Sequence, residues 1–103
     1  MPPPSEGPAC SAFAVGYREM FYTYVLISET DGDFYIGYAQ DLKKRFEEHQ
    51  LGKVLSTAPR RPLKLVYYEA CLDEKDAIAR EKSLKTGYGR KYIKRRIANH
   101  LSS

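Results

Sequence analysis

Two tyrosines, an arginine and a histidine stand close enough in this sequence to act together. Tyr24 and Tyr35 are eleven residues apart, in Phe21-Tyr22-Thr23-Tyr24-Val25-Leu26-Ile27 and Phe34-Tyr35-Ile36-Gly37. Arg45 and His49 follow, one helical turn apart. Two phenols, a guanidinium and an imidazole suit a phosphodiester better than an apolar ligand. The guanidinium matches phosphate oxygens, and the phenols and imidazole can carry protons.

Such a set works only if the chain gathers it. Residues 21–28 alternate aromatic and aliphatic types, as a strand does. Residues 33–38 return as its antiparallel partner, and Asp31-Gly32 supplies the turn. At Gln40-Asp41 the period changes. Asp41 can cap the first amides of a helix carrying Leu42, Arg45 and Phe46, and Gly52 can end it. Residues 53–62 form a basic loop closed by Arg60-Arg61-Pro62, and residues 63–71 make a third strand. Asp73 and Asp76 form a capping pair for a helix running to about Lys85. Gly87 and Gly89 break it, and a last helix runs from Lys91 to about Leu101, with Ile93, Ile97 and Leu101 on one side. The order β-β-α-β-α-α predicts an α+β fold. Its centre is a small three-stranded antiparallel sheet flanked by helices, expected against one face.

Several polar residues fall on faces that should be apolar. With Leu42 at 0° on the first helix, Phe46 lies near about 40°, His49 near about 340° and Arg45 near about 300°. An arginine on that stripe either snorkels to water or holds a fixed anion. On the second helix, with Ala77 at 0°, Glu81 lies near about 40° and Leu84 near about 340°. A carboxylate there must be paired, protonated or metal-bound. Arg45 and Arg80 are candidate partners, and magnesium is the functional alternative. Gly37 sits where a strand glycine marks a bulge, a close backbone approach or a plain strand end. Beside Tyr24 and Tyr35 it would leave room for a nucleic-acid backbone.

Composition sets the frame. The 103 residues suit one domain, and formal charge is +4, concentrated after residue 19. Lys85 to His100 hold six Lys or Arg and no acid, a patch that attracts polyanions. Lys44, Lys53, Arg60, Arg61, Lys85, Arg90 and Lys91 are the candidate nucleic-acid contacts. Nine tyrosines without a tryptophan serve mostly as packing groups with wet hydroxyls. Cys10 and Cys71 are the only cysteines, which argues against a disulfide framework or a zinc site. No membrane helix or signal peptide is legible, so an intracellular, cytoplasmic compartment and no membrane partner are expected. Residues 1–19, rich in Pro, Ser, Gly and Ala, read as a disordered extension preceding a single domain over 20–103.

The assembled motifs resemble the GIY-YIG nuclease superfamily, in particular its small single-domain bacterial-type branch, also seen in some large DNA viruses. The resemblance runs from about Phe21 to Tyr92. Tyr22-Thr23-Tyr24 matches the first motif and Tyr35-Ile36-Gly37 the second. Arg45 matches the arginine that contacts the scissile phosphate. His49 stands where His or Tyr often lies, and Glu81 matches the single metal-holding carboxylate. The glycine that opens the first motif in many members is Tyr22 here. The late asparagine of larger nucleases has no counterpart, Asn99 lying too far along.

The resemblance implies a metal-dependent endonuclease that hydrolyses DNA to a 5′ phosphate and a 3′ hydroxyl, structure-selective or non-specific, in DNA repair or processing. It implies Mg²⁺ on Glu81, with Mn²⁺ able to substitute, and Arg45 clamping the phosphorane. Tyr24 or Tyr35 would activate the water with a depressed phenol pKa, and His49 would relay the proton. The partner would be DNA, branched or single-stranded forms included, and the protein a monomer by default. A non-catalytic nucleic-acid-binding module with the same fold is the alternative. An adaptor would need an exposed apolar patch at Ile93, Ile97 and Leu101.

Overall fold

The computed structural model describes residues 20–102. The extension expected over residues 1–19 lies outside them. Strand β1 (Phe21–Ser28) is central, paired antiparallel with β2 (Phe34–Ala39) on one side and β3 (Leu63–Cys71) on the other. Helices α1 (Leu42–Gln50), α2 (Glu74–Leu84), α3 (Gly87–Arg96) and the short α4 (Ala98–Leu101) complete the domain, with a 3₁₀ turn at Ala58–Arg60. The α+β class and the antiparallel three-stranded sheet are as expected.

Helices cover both faces of the sheet, not one. Every residue from Tyr22 to Leu26 is buried, so β1 is a two-sided core strand whose successive side chains serve opposite layers. Tyr24, Leu26, Ala39 and Leu63 pack with Tyr35, Leu42, Phe46 and Leu65 beneath α1. Val25, Phe34 and Ile36 pack on the other face with Leu84, Ile93 and Ile97 of the C-terminal helices. The Thr23 hydroxyl adds a buried tie to that face, donating to the Ala77 carbonyl at 2.7 Å. The aromatic-aliphatic alternation in β1 reads as a half-buried strand, yet tyrosine rings fill an apolar layer as completely as aliphatic groups do.

The caps follow the sequence where one side chain suffices. Asp41 accepts from the Lys44 amide at 3.1 Å and Asp73 from the Lys75 amide at 2.8 Å. Asp76 contributes its backbone N–H to the Asp73 carbonyl, so the expected capping pair is a single aspartate cap.

The second helix ends at Leu84, close to the expected Lys85, but the next helix starts at Gly87, not Lys91, and includes both glycines. Thr86 caps it, its hydroxyl accepting from the Gly89 amide at 3.1 Å. At Gly89 an added Cβ would lie 2.5 Å from the Leu84 backbone carbonyl carbon. Glycine therefore lets α3 cross hard against the end of α2. The last helical stretch is correspondingly split, α3 ending at Arg96 and α4 holding only four residues. Ile93 and Ile97 are buried in the core while Leu101 is half-exposed. The apolar patch that an adaptor would need is thus spent on folding.

Candidate active site

The centre of the site is Tyr24, which is 1% exposed. It faces Gly37 across the β1–β2 ladder. A Cβ on Gly37 would collide with the Tyr24 hydroxyl and lie 2.5 Å from its Cζ. The glycine therefore makes room for the phenol itself, and the space expected for a nucleic-acid backbone is filled by Tyr24. Without a side chain at position 37, the phenol lies over β2, the edge strand of the sheet.

Helix α1 brings Arg45 and His49 to that ring. The Tyr24 hydroxyl and His49 Nε2 are 2.8 Å apart, and His49 Nδ1 lies 2.7 Å from the Thr57 hydroxyl oxygen. His49 and Thr57 are fully buried. Tyr35 closes the cluster, its ring centroid 5.1 Å from that of His49 and 6.4 Å from that of Tyr24. Arg45 is half-exposed. Its guanidinium lies near enough to act on the Tyr24 phenol and holds Glu48 through a 3.0 Å pair. It neither snorkels free nor sits in the core.

Burial sets the protonation states. It pushes the Tyr24 phenol up to about 12, with the nearby Arg45 offsetting part of the rise and the charges of Tyr35 and Glu81 adding to it. Arg45 by itself does not depress the phenol, because losing water outweighs one nearby cation. Burial likewise pulls His49 down to about 4, helped by the adjacent Arg45 charge. Near pH 7 both rings are neutral.

Glu81 approaches from α2. Its carboxylate is 21% exposed and pairs with Lys85 at 3.1 Å. Neither expected arginine partner is used, since Arg80 binds Glu69 at 2.8 Å and Arg45 binds Glu48. Its negative charge nonetheless bears on the Tyr24 phenol. Among the described residues no group of three or more His, Cys, Asp or Glu is gathered as a metal cage. The donor set is then one accessible carboxylate whose only partner is a half-exposed lysine. That set fits a hard divalent cation that keeps most of its water, as Mg²⁺ prefers.

The basic candidates divide. Lys44, Lys53 and Lys91 are exposed and form no ion pair with the described residues. Lys85 is engaged with Glu81, and Arg90 with Asp33 at 2.7 Å. Arg60 is turned inward, bonding Asp31 at 2.9 Å and the carbonyls of Asp33 and Phe34, so it braces the β1–β2 turn. Arg61 donates to the Ala58 carbonyl at 2.9 Å and lies over Gly52.

Thr57 and Glu48 are members of the site that the sequence reading does not single out. Thr57 lies in an irregular loop with no periodicity to flag it. Glu48 stands three residues after Arg45, a spacing at which a helix brings opposite charges together.

Comparison with known proteins assigns the family. The family model for the GIY-YIG catalytic domain matches residues 20–93. A UPF0213 protein of Lacticaseibacillus paracasei is 42% identical over 62 residues, covering 59% of this chain and 68% of that protein. A UPF0213 protein of Staphylococcus saprophyticus is 38% identical over 74 residues, covering 71% and 89%. The solution structure of a UPF0213 protein from Bacillus halodurans superposes with a TM-score of 0.47 at 28% identity, covering 72% of this chain and 81% of that one. With more than half of its length matched by the family model, this chain belongs to the GIY-YIG family of nuclease domains.

Proposed function

We propose that this protein is a divalent-metal-dependent endonuclease that hydrolyses DNA phosphodiester bonds, leaving a 5′ phosphate and a 3′ hydroxyl. The observation that carries the reading is the convergence on one buried phenol. Tyr24 is hydrogen-bonded to His49 at 2.8 Å and lies within the fields of Arg45 and Glu81. An apolar ligand site has no use for such a set.

The residues divide the work by their chemistry. Arg45, half-exposed, exchanges its contact with Glu48 for a phosphate oxygen and steadies the charge that develops on phosphorus. A phenol at about 12 is ionised at only about 10⁻⁵ of molecules at pH 7, so Tyr24 does not wait as a phenolate. Instead its oxygen takes a proton from the attacking water while its own proton passes to His49 Nε2. Glu81 would hold the divalent cation, Mg²⁺ or Mn²⁺, which when bound neutralises charge on the phosphate and the leaving 3′ oxygen. Tyr35 walls the site beside His49 and keeps water from the imidazole.

Selectivity would come from DNA shape. With about 74 residues in the matched domain, no second domain is present in the described residues to read a long sequence. Branched or single-stranded DNA, as met in repair or processing, is the substrate class this suits.

The test is nicking of supercoiled plasmid and of branched and single-stranded oligonucleotides in Mg²⁺ or Mn²⁺, by wild type, Arg45→Ala and Glu81→Ala. Each variant should lose on the order of 10²-fold or more. Equal rates in all three would reject the reading. Salt-sensitive binding without cleavage by the wild type would favour a non-catalytic module.

A further inference from the structure

Thr57 occupies the N-cap position of the 3₁₀ turn Ala58–Arg60 but makes no side-chain cap bond. A threonine there ordinarily spends its hydroxyl on the backbone amides of its own turn. Here the hydroxyl is fully buried and turned inward, 2.7 Å from His49 Nδ1. Its own proton has an acceptor in the Val54 carbonyl at 3.4 Å. That leaves the oxygen to accept from an N–H at Nδ1.

The other end of the chain of bonds demands the same direction. The Tyr24 hydroxyl is buried, and its hydrogen-bond partner among the described residues is His49. The phenol's own proton then needs an acceptor, and His49 Nε2 stands 2.8 Å away. A proton on Nε2 would reverse that bond and leave the buried phenol proton without an acceptor among the described residues. Both ends are satisfied together by one tautomer, with the proton on Nδ1 and a lone pair on Nε2.

We infer that Thr57 is a positioning residue for the reaction. By accepting from Nδ1–H, it fixes the tautomer of His49 whose Nε2 can take the proton of the Tyr24 hydroxyl. This rests on the reading of Tyr24 and His49 as the proton-carrying pair. The chain of transfer balances: water gives a proton to the Tyr24 oxygen as that oxygen's own proton moves to Nε2. His49 becomes an imidazolium donating from both nitrogens, and no oxidant or further reactant is needed.

The test reads the tautomer directly by ¹⁵N NMR of the imidazole at pH 7, without DNA or metal. His100→Gln removes the other histidine, leaving one imidazole spectrum. The Thr57→Val and Thr57→Ser variants are compared in that background. Thr57→Val keeps the shape and removes the hydroxyl; Thr57→Ser keeps the hydroxyl. The parent should show a protonated Nδ1 and an unprotonated Nε2. Valine should shift the population toward protonated Nε2, and serine should restore the parent pattern. In DNA cleavage, valine should lower kcat by about 10-fold or more with KM little changed, and serine should return most of it. A parent imidazole protonated on Nε2 would overturn the inference, as would a valine variant with an unchanged tautomer. The parent spectrum decides even if the valine variant does not fold. If the spectra come out as expected and no protein cuts DNA, the tautomer assignment stands and the nuclease reading is what fails.

Discussion

Tyr24, His49 and Thr57 are all buried and joined by bonds of 2.8 and 2.7 Å, whereas Arg45 and Glu81 hold their charges at the surface through pairs with Glu48 and Lys85 on their own helices. The first group has fixed partners, since no water competes for its bonds. The second has partners three and four residues away, in solvent, where such pairs are weak and easily exchanged. The difference matches the tasks proposed for the two groups. Proton carriers must be set before substrate arrives. Groups that meet a phosphate and a cation must be able to give up the partners they hold. In this fold β1, the buried side of α1 and the loop before the 3₁₀ turn meet to supply the first, and α1 and α2 supply the second.

The comparison can be broken most strongly through acid. His49 is held near about 4 against an ordinary 6.5. Above pH 6.5 the ring is neutral in both folded and unfolded chains and contributes no pH dependence. Between about 6.5 and 4 only the unfolded chain takes up the proton, so stability should fall as pH falls. The loss should reach on the order of 3 kcal/mol. Urea unfolding at pH 7 and at pH 4.5 measures it, and replacing His49 with glutamine should remove most of the slope. A slope unchanged in that variant would mean that the imidazole is not buried neutral.

A smaller effect is expected at Gly37. Alanine there would set its Cβ 2.5 Å from the Tyr24 Cζ and push the ring aside, which should cost about 1–3 kcal/mol. The displaced phenol should also lose its bond to His49. Thermal unfolding and the cleavage rate should fall together. An alanine variant with unchanged stability would show that the ring has room to move.

The smallest effect belongs to the surface. Lys85→Ala should change stability by less than about 1 kcal/mol, because its pair with Glu81 is exposed. It should leave Glu81 more open to a cation. Calorimetric titration with Mn²⁺ should show equal or tighter binding, and a weaker one would mean that Lys85 has a part in holding the site.

What the sequence made legible follows the same division. The three strands, the turn at Asp31-Gly32 and the Asp41 cap are local signals and appear where the residues put them. Arg45 and His49 were marked by sitting on an apolar stripe, and the structure brings both to Tyr24. What depends on layers was not legible. Alternation along β1 cannot tell a half-buried strand from one covered on both faces when tyrosines fill one of them. Gly87 and Gly89 read as breakers because their effect depends on Thr86 capping the turn and on the closeness of Leu84. The role of Gly37 turned on which atom would fill its missing side chain. Thr57 became visible only when the loop folded under α1.

The central claim is that the buried phenol of Tyr24 takes part in phosphodiester hydrolysis. Tyr24→Phe tests it with the least disturbance, because the ring still fills its place over Gly37 and only the hydroxyl is removed. Single-turnover cleavage of a labelled oligonucleotide in Mg²⁺ should fall by on the order of 10²-fold or more, with circular dichroism unchanged. A phenylalanine variant that cleaves within about twofold of the wild type would contradict the account.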